Sequence, residues 1–310
     1  MQSTTKIKVV GVGGSGLNAI SRMAAVKIQG VDLIVINADV QDLEKARADF
    51  KLQIGKITTK GLGAGMNPKI GEMAAQESKE EIREILKGAD MVFVTCGLGG
   101  GVGTGAAPVV ADIARKDGAL TVAVVTKPFS FEGIPRKKIA ERGLENLRNK
   151  VDTLLVIPND RILKIVEPTT SVFSAFWFCD EILRQAVQGI SDLITLPGII
   201  NVDFADLRSI MKNAGPALLG VGRASGEKRI EKALNLALHS PLLDDTVFKK
   251  GKAVLFNVSG GKDLTMTEVN TAAQMIRDFI DPEAKVIFGA VQNKDLIEGE
   301  VKIMVIITGF

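Results

Sequence analysis

The sequence has few of the residues that build disulfide frameworks, metal clusters and histidine-dependent active sites. Its 310 residues include two cysteines and one histidine, and both cysteines, Cys96 and Cys179, lie in apolar segments. Buried free thiols are typical of a reducing compartment, and two of them exclude a disulfide framework or a cysteine-based metal site. We therefore expect a cytoplasmic protein.

Excess charge and long apolar runs are also missing. The formal net charge is only +3, which predicts no large electrostatic surface for nucleic acid or membranes. No apolar run reaches the roughly 18 residues that a membrane-spanning helix needs. The first five residues lack the basic-then-apolar pattern of a signal peptide. We expect neither a nucleic-acid partner nor direct membrane insertion.

Glycine, in contrast, is abundant, and the densest run lies at residues 97–105, Gly-Leu-Gly-Gly-Gly-Val-Gly-Thr-Gly. The run follows an apolar, strand-like segment at 91–96 and precedes a helical pattern that begins at 106. A loop with so few side chains lets backbone N–H groups approach a ligand closely, and the following helix directs its N-terminus at that ligand. The run predicts a phosphate site, whereas a flexible surface connection is disfavoured by the strong patterns on both sides.

Strands and helices alternate through the first half of the chain. A strand at 6–12, a helix from 17 and a strand at 31–36 form a βαβ unit, which predicts parallel pairing. Further strands are predicted near 51–54, 91–96, 120–126 and 152–157, and one helix is predicted from Pro68 to Lys87. This is the pattern of a doubly wound α/β domain, in which ligands bind at the carboxyl ends of the strands.

The second half begins with one long helical pattern at 171–195, which Pro197 and Gly198 are predicted to end. Strands are then predicted at 216–221, 252–258, 285–291 and 301–308, with helices at 227–238 and 265–280. We expect three parts: a nucleotide-binding domain at 1–170, a central helix at 171–196 and a smaller α/β domain at 197–310.

The glycine motifs leave two classes of nucleotide enzyme open. Gly11, Gly13 and Gly16 form the G-x-G-x-x-G pattern of dinucleotide-binding proteins, and Asp39 stands where a ribose-binding acid would lie, as in an NAD-dependent oxidoreductase. However, His239 lies outside any candidate site, so no proton-transfer residue is evident. No glycine loop is followed by Gly-Lys-Ser/Thr, which excludes a P-loop. Several glycine loops at one edge suit a di- or triphosphate bound by backbone donors.

Seven ordered motifs carry a resemblance over nearly the whole chain. They lie at residues 61–68, 99–105, 128–133, 158–160, 188–194, 201–206 and 306–310. With them the chain resembles the FtsZ family of tubulin-like bacterial cell-division GTPases. The resemblance implies a Rossmann-like GTPase domain with a parallel sheet, a long central helix and a smaller C-terminal α/β domain. It also implies GTP hydrolysis, head-to-tail polymerisation and a mid-cell division ring.

The resemblance also implies the contacts of the nucleotide. The phosphates would be held by Gly13, Gly14, Ser15, Gly97, Gly100, Gly101, Val102, Gly103, Thr104 and Gly105, with Gly63, Ala64 and Gly65 closing over the γ-phosphate. Asn18, Asn37 and Pro128 belong to the same implied site. Glu132 and Arg136 would contact ribose and phosphate, Asn159 and Asp180 would recognise guanine, and Phe176 would stack on the base. A carboxylate suits guanine, whose N1–H and N2–H₂ are both donors, whereas adenine would leave it unpaired.

Catalysis is implied to involve a second molecule. Asp203 and Asp206 would enter the nucleotide pocket of the next subunit and polarise the attacking water, with Mg²⁺ held mainly by phosphates and water and no protein ligand predicted. Without the resemblance, Phe176 is interpreted as core, Glu132 with Arg136 as an i,i+4 surface pair and Asp203 with Asp206 as a helix N-cap.

The chain departs from the family pattern at several positions. Val102 and Ala38 stand where threonine is usual, so two hydroxyls near phosphate and Mg²⁺ are missing. This leaves an alternative, a divergent paralogue that binds guanine nucleotide with little hydrolysis. Residues 177–179 bring bulk to the base pocket. The family recruits cell-division proteins and membrane tethers through a C-terminal tail, and no tail follows Phe310 in this sequence. Either a tail has been removed or such partners are not engaged in this way.

Overall fold

A computed structural model describes residues 5–196, 198–243, 251–293 and 296–310. The chain forms two compact units, Met1–Gln188 and Gly189–Phe310, and helix α9 (Val172–Thr195) runs across their boundary. This helix confirms the long pattern at 171–195, while Pro197, which was predicted to end it, lies outside the described residues. The division of the sequence at 170 and 197 stays a prediction.

The first unit alternates strands and helices. Its strands are β1 (Ile7–Val12), β2 (Val31–Asn37), β3 (Phe50–Gln53), β4 (Met91–Gly97), β5 (Leu120–Lys127) and β6 (Thr153–Pro158). Before α9, its helices are α1 (Gly13–Ala25), α2 (Val40–Lys45), α3 (Lys56–Thr59), α4 (Pro68–Glu77), α5 (Lys79–Leu86), α6 (Val102–Lys116), α7 (Ile134–Arg148) and α8 (Asn159–Ile162), with a 3₁₀ turn at Ser130–Glu132.

These strands form a parallel sheet in the order β3-β2-β1-β4-β5-β6. The strands are almost continuously apolar and buried, as expected for a parallel sheet covered by helices on both faces. The order reverses between β1 and β4, which are neighbours in register, with Gly11 opposite Thr95. In a doubly wound sheet the ligand binds at the carboxyl ends of the strands beside this reversal.

The predicted single helix from Pro68 to Lys87 is wrong, because α4 and α5 are separated at Ser78. The Ser78 hydroxyl is buried and accepts a hydrogen bond from the backbone N–H of Gly55 at 3.2 Å. A serine that bonds a distant backbone group favours a helix boundary over a helix interior. The break therefore reflects a tertiary contact.

The second unit carries a mixed sheet. Its strands are β7 (Gly198–Ile200), β8 (Gly215–Ser225), β9 (Ala253–Gly260), β10 (Lys285–Gln292) and β11 (Glu300–Thr308), and its helices are α10 (Phe204–Met211), α11 (Arg229–Leu238) and α12 (Met266–Phe279). The strand order is β8-β11-β9-β10-β7, with only β9 and β10 parallel. Strand β7 was not predicted, and β8 is longer than its predicted range. Within the described residues, no helix combines the length and apolarity needed to cross a membrane.

Candidate active site

A cavity of about 470 Å³ lies in the first unit at the carboxyl ends of its strands. It brings together most of the residues that the sequence predicted for GTP. These are Gly14, Ser15, Asn18, Asn37, Gly63, Ala64, Gly65, Gly97, Gly100, Gly101, Val102, Gly103, Pro128, Glu132, Arg136, Asn159, Phe176 and Asp180. One wall is therefore assembled from the loops that follow five strands and from the first turns of α9.

Two helices begin at this cavity without a side-chain cap. Val12 and Gly101 are the N-cap residues of α1 and α6, and neither offers a side-chain acceptor to the first-turn N–H groups. In contrast, Asp39 caps α2 and Asn67 caps α4 with their own side chains. Uncapped first-turn donors and the positive end of the helix dipole together bind anions. The cavity thus presents two anion-binding helix ends.

Glycines allow these two helix starts to approach each other. Gly13 has a φ of +70°, and a Cβ there would lie 2.7 Å from the backbone nitrogen of Gly103. A Cβ on Gly97 would likewise lie 2.7 Å from the Cβ of Ser15. Real Cβ contacts are longer than this, so a side chain at Gly13 would push α1 and α6 apart, and one at Gly97 would push α1 away from the end of β4. Gly13 therefore shapes the cavity from behind and is not part of its lining.

Two further predicted phosphate contacts, Thr104 and Gly105, also lie outside the lining. The buried Thr104 hydroxyl accepts a hydrogen bond from the backbone N–H of Gly99 at 2.9 Å. A Cβ on Gly105 would lie 1.9 Å from the carbonyl oxygen of Pro68, so this glycine permits close packing of α4 on α6. The structure gives both residues a role in supporting the loop.

The loop before α4 forms the opposite wall of the anion-binding end. A Cβ on Gly101 would lie 2.7 Å from the Cβ of Ala64, so this loop packs directly on the start of α6. Leu62 and Met66 belong to the lining but are exposed, at 82% and 43%. The cavity therefore has an apolar, solvent-facing rim at this end.

Asn159 and Phe176 also line the cavity. The side chain of Asn159 is buried, and its Oδ1 has no hydrogen-bond partner. A buried acceptor without a partner is costly, so the site fits a ligand that donates a hydrogen bond there. Phe176 is 39% exposed and meets Phe129 edge to face, with 5.2 Å between the ring centroids. Its position leaves one surface available to a flat ligand.

Asp180 is a buried carboxyl group that lines the same cavity. Burial raises its pKa to about 6, and this rise is opposed by the Arg22 guanidinium, whose Nε donates to Asp180 Oδ2 at 3.2 Å. A carboxylate in this position accepts N–H donors well. Its neighbour Cys179 also lines the cavity, but burial raises the pKa of that thiol to about 12, so it is a poor nucleophile at neutral pH.

Glu132 and Arg136 combine the two roles considered from the sequence. Arg136 Nη1 donates to Glu132 Oε2 at 2.7 Å, which is an i,i+4 ion pair, and both residues line the cavity. Glu132 Oε1 also accepts from the backbone N–H of Phe129 at 2.9 Å. The pair is therefore fixed in place against the cavity.

Sequence reasoning missed several lining residues. Besides Leu62, Met66 and Cys179, these are Val12, Asp39, Asp42, Leu98 and Thr126. Thr126 lies near the end of β5, so the rule that ligands bind at strand ends would have found it. Asp39, considered only as a ribose acid, accepts from the backbone N–H groups of Gln41 and Asp42 at 3.0 and 3.2 Å. Its carboxylate thus caps α2.

The predicted catalytic acids belong to the second unit. Asp203 is the N-cap of α10, and its Oδ1 accepts from the backbone N–H of Ala205 at 3.3 Å. Asp206 lies in the first turn of the same helix, and both residues are exposed. Neither is among the residues that line the cavity.

Comparison with known proteins identifies the family. The model of the Tubulin/FtsZ family, GTPase domain, matches residues 6–167, and the model of the FtsZ family, C-terminal domain, matches residues 215–310. A solved structure of an empty FtsZ dimer from M. jannaschii is 48% identical, covers 100% of this chain and 89% of its own, and has a TM-score of 0.95. The chain belongs to the Tubulin/FtsZ family.

Other solved structures agree with this assignment. A point mutant of FtsZ from M. jannaschii is 49% identical, with a TM-score of 0.95 over 99% of this chain and 92% of its own. CetZ2 from Haloferax volcanii, solved as a GTPγS-bound protofilament, is 22% identical, with a TM-score of 0.81 over 98% of this chain and 92% of its own. At that identity the likeness concerns the fold alone.

Membership of the FtsZ family makes the chain a GTP-binding, GTP-hydrolysing protein of the polymerising cytoskeletal class. The two alternatives left by the sequence, an NAD-dependent oxidoreductase and a paralogue with little hydrolysis, gain no support from these matches. The tubulin-like fold class, with its parallel sheet, long helix and C-terminal domain, is confirmed.

Proposed function

We propose that this FtsZ-family GTPase binds GTP in the cavity of the first unit and hydrolyses it only when a second copy completes the site. The observation that carries the binding assignment is that one cavity combines two uncapped helix N-termini with the unpartnered side chain of Asn159. The first-turn N–H groups of α1 and α6 hold the phosphates. Asn159 and Asp180 recognise guanine, and Phe176 packs on the base.

Glu132 and Arg136 also line the cavity. We assign them to the ribose and the phosphates. Because Glu132 is held by both Arg136 and the Phe129 N–H, its carboxylate is oriented before the nucleotide arrives. Preorganised polar groups lose little entropy on binding. The same pair therefore serves as a structural ion pair and as part of the nucleotide site.

Most carboxylates that line the cavity already have partners, which favours a water-activating acid that comes from another molecule. Asp39 caps α2, Glu132 is paired with Arg136 and Asp180 is paired with Arg22. These three are already engaged, which leaves Asp42 as the remaining carboxylate of the lining. Asp203 and Asp206 lie together at the start of α10, exposed to solvent. In a head-to-tail filament they polarise the water that attacks the γ-phosphate of the neighbouring subunit.

Mg²⁺ fits this site through the nucleotide. Among the described residues, no group of three or more His, Cys, Asp or Glu side chains is arranged to hold a metal ion. We assign Mg²⁺ to the phosphates and water, with no protein ligand. When bound, the ion neutralises charge that develops on the phosphates.

The shared site is tested by phosphate release at increasing protein concentration, with light scattering recorded in parallel. Because hydrolysis needs two copies, activity per molecule is expected to be near zero at high dilution and to rise past a threshold. Activity per molecule that stays constant on dilution contradicts the proposal.

A mixing experiment separates the two halves of the site. D206A retains the nucleotide cavity and lacks the acid, while D180A lacks the guanine-binding carboxylate and retains the acid. Each variant alone is expected to be nearly inactive, and a mixture is expected to recover activity because D180A supplies Asp206 to GTP on D206A. The control is D42N, which removes the remaining carboxylate of the cavity. Loss of hydrolysis in D42N with parental activity in D206A would place the water-activating acid within the same molecule.

The family's cellular role extends the proposal to a division ring at mid-cell, formed by these filaments. A fluorescent fusion in dividing cells of the source organism is expected to form a band at the division site. A diffuse signal throughout division contradicts this part of the proposal.

A further inference from the structure

Helix α1 begins at the cavity and continues beyond its lining to Arg22. Gly14, Asn18 and Arg22 are spaced four residues apart and so lie on one face of the helix. Gly14 and Asn18 line the cavity, and Arg22 follows two turns after Gly14, about 12 Å along the axis. The helix that begins at the proposed phosphate site therefore carries a guanidinium toward Asp180.

Arg22 is held by two side chains of α9. Its Nε donates to Asp180 Oδ2 at 3.2 Å, and its Cζ lies 5.1 Å from the centre of the Trp177 ring. Trp177 and Asp180 are three residues apart on α9, so they lie on the same face. The Arg22 side chain is 25% exposed and that of Asp180 is 9% exposed. A cation between an aromatic face and a buried carboxylate is fixed in direction and in distance.

The arrangement matters because of what guanine requires. A carboxylate accepts both the N1–H and the N2–H of the base, whereas a protonated carboxyl group has lost part of its acceptor capacity and presents an O–H. Burial favours the protonated form of Asp180, and Arg22 favours the charged form. Without the guanidinium, the fraction of Asp180 able to accept both donors falls near neutral pH.

We propose that Arg22, oriented by Trp177, is a positioning residue for guanine recognition that keeps Asp180 charged and aimed at the base. This inference rests on the proposed function, in which Asp180 recognises guanine. Arg22 acts through Asp180 and does not line the cavity itself. It therefore controls base affinity and the pH at which the base is recognised.

The test measures GDP affinity by calorimetry from pH 6 to pH 9, since GDP avoids turnover. R22M is expected to bind GDP about fivefold more weakly at pH 6 and within about twofold of the parent at pH 9. From a parent pKa of about 6, an upward shift of about one unit lowers the charged fraction of Asp180 at pH 6 from about one half to about one tenth and leaves it nearly complete at pH 9. R22K keeps the charge and is expected to retain most of the affinity. W177L is expected to shift the profile in the same direction by less, and W177F to remain near the parent.

The control is R142M, which removes an exposed arginine outside this cluster and is expected to leave the pH profile unchanged. A loss of affinity in R22M that is equal at every pH overturns the inference, since it indicates a structural role or direct contact with the nucleotide. An R22M profile identical to the parent also overturns it. Thermal unfolding of R22K and R22M without nucleotide checks that both variants fold.

A second variant separates this inference from the proposed function. D180N can donate to a carbonyl at C2, so it is expected to lose GDP affinity and gain affinity for xanthosine diphosphate. Unchanged GDP binding by D180N removes Asp180 from base recognition, and the proposed function fails at that point. Altered base preference in D180N with a pH-independent R22M removes only the role of Arg22.

Discussion

Two glycines of the run at 97–105 are expected to respond in opposite ways to alanine. A Cβ on Gly105 would lie 1.9 Å from the Pro68 carbonyl oxygen and 2.7 Å from the Glu72 nitrogen, both of which are backbone atoms of α4. Overpacking of this kind costs roughly 1–3 kcal/mol or more, while alanine regains about 1 kcal/mol of helix propensity. We expect G105A to lose about 2 kcal/mol, which lowers Tm by about 4–8 °C.

Gly100 is the matched position, because a Cβ there would meet no atom within 4 Å and would enter the cavity. G100A is expected to fold at least as stably as the parent, since alanine reduces the entropy of the unfolded chain by about 0.4–1 kcal/mol. Its methyl group occupies space proposed for phosphate. Loss of one charge-assisted hydrogen bond, about 1.5–3 kcal/mol, weakens GDP binding about 10- to 100-fold.

Thermal unfolding without nucleotide and calorimetry with GDP distinguish the two variants. We expect stability to fall only in G105A and affinity to fall most in G100A. Parental GDP affinity in G100A would refute the placement of phosphate against this loop. Parental stability in G105A would refute the close packing of α4 on α6.

Two further predictions concern Val102 and Arg229. Val102 is the first residue of α6, lines the cavity and is 8% exposed. V102T is expected to lower the free energy of unfolding without nucleotide by about 1 kcal/mol and to tighten GDP binding about tenfold, because the threonine hydroxyl donates a hydrogen bond to phosphate. Thermal unfolding and calorimetry measure the two effects, and unchanged GDP affinity would contradict the phosphate contact. In the second unit, buried Arg229 donates to Glu268 at 2.6 and 2.9 Å and also to Asp263, and it lowers the pKa of both carboxyl groups. The folded state therefore binds fewer protons than the unfolded state, so the stability from this cluster is present above pH 4.5 and is lost as the pH falls. R229M is expected to lose about 1–3 kcal/mol at pH 7 and to show a flatter decline from pH 5 to 3 in urea unfolding, whereas an equally steep decline would contradict the assignment.

The fold was predictable because local pattern and global topology agree in the first unit. Apolar strands followed by glycine-rich turns specify parallel pairing, and parallel pairing specifies which ends of the strands meet. The boundary at Ser78 was not predictable, since the Gly55 N–H that bonds its hydroxyl lies twenty-three residues away in the chain. A contact between residues this far apart in the chain leaves no local signal at the serine.

The candidate site likewise contains residues that the sequence predicts and contacts that it does not. Residues in glycine-rich loops were found because their composition departs from that of an ordinary connection. The ion pair of Arg22 with Asp180 spans 158 residues, and nothing in either segment indicates the other. Thr104 and Gly105 belong to the same motif as Gly100, and only three-dimensional packing separates a residue that supports the loop from one that faces the cavity.

The interlocking of Gly13, Gly97 and Gly103 limits how the protein can diversify. A Cβ at any of these three glycines would meet a neighbouring element at 2.7 Å or less, so variation there alters the spacing of α1, α6 and the end of β4 and threatens folding. Gly100 and Val102 face the cavity, and substitutions there alter the ligand contact while leaving that spacing in place. Nucleotide affinity can therefore change through substitutions at Gly100 and Val102 while the packing of the surrounding elements is kept. Residue 102 in particular is a position at which relatives with the same fold can differ in affinity.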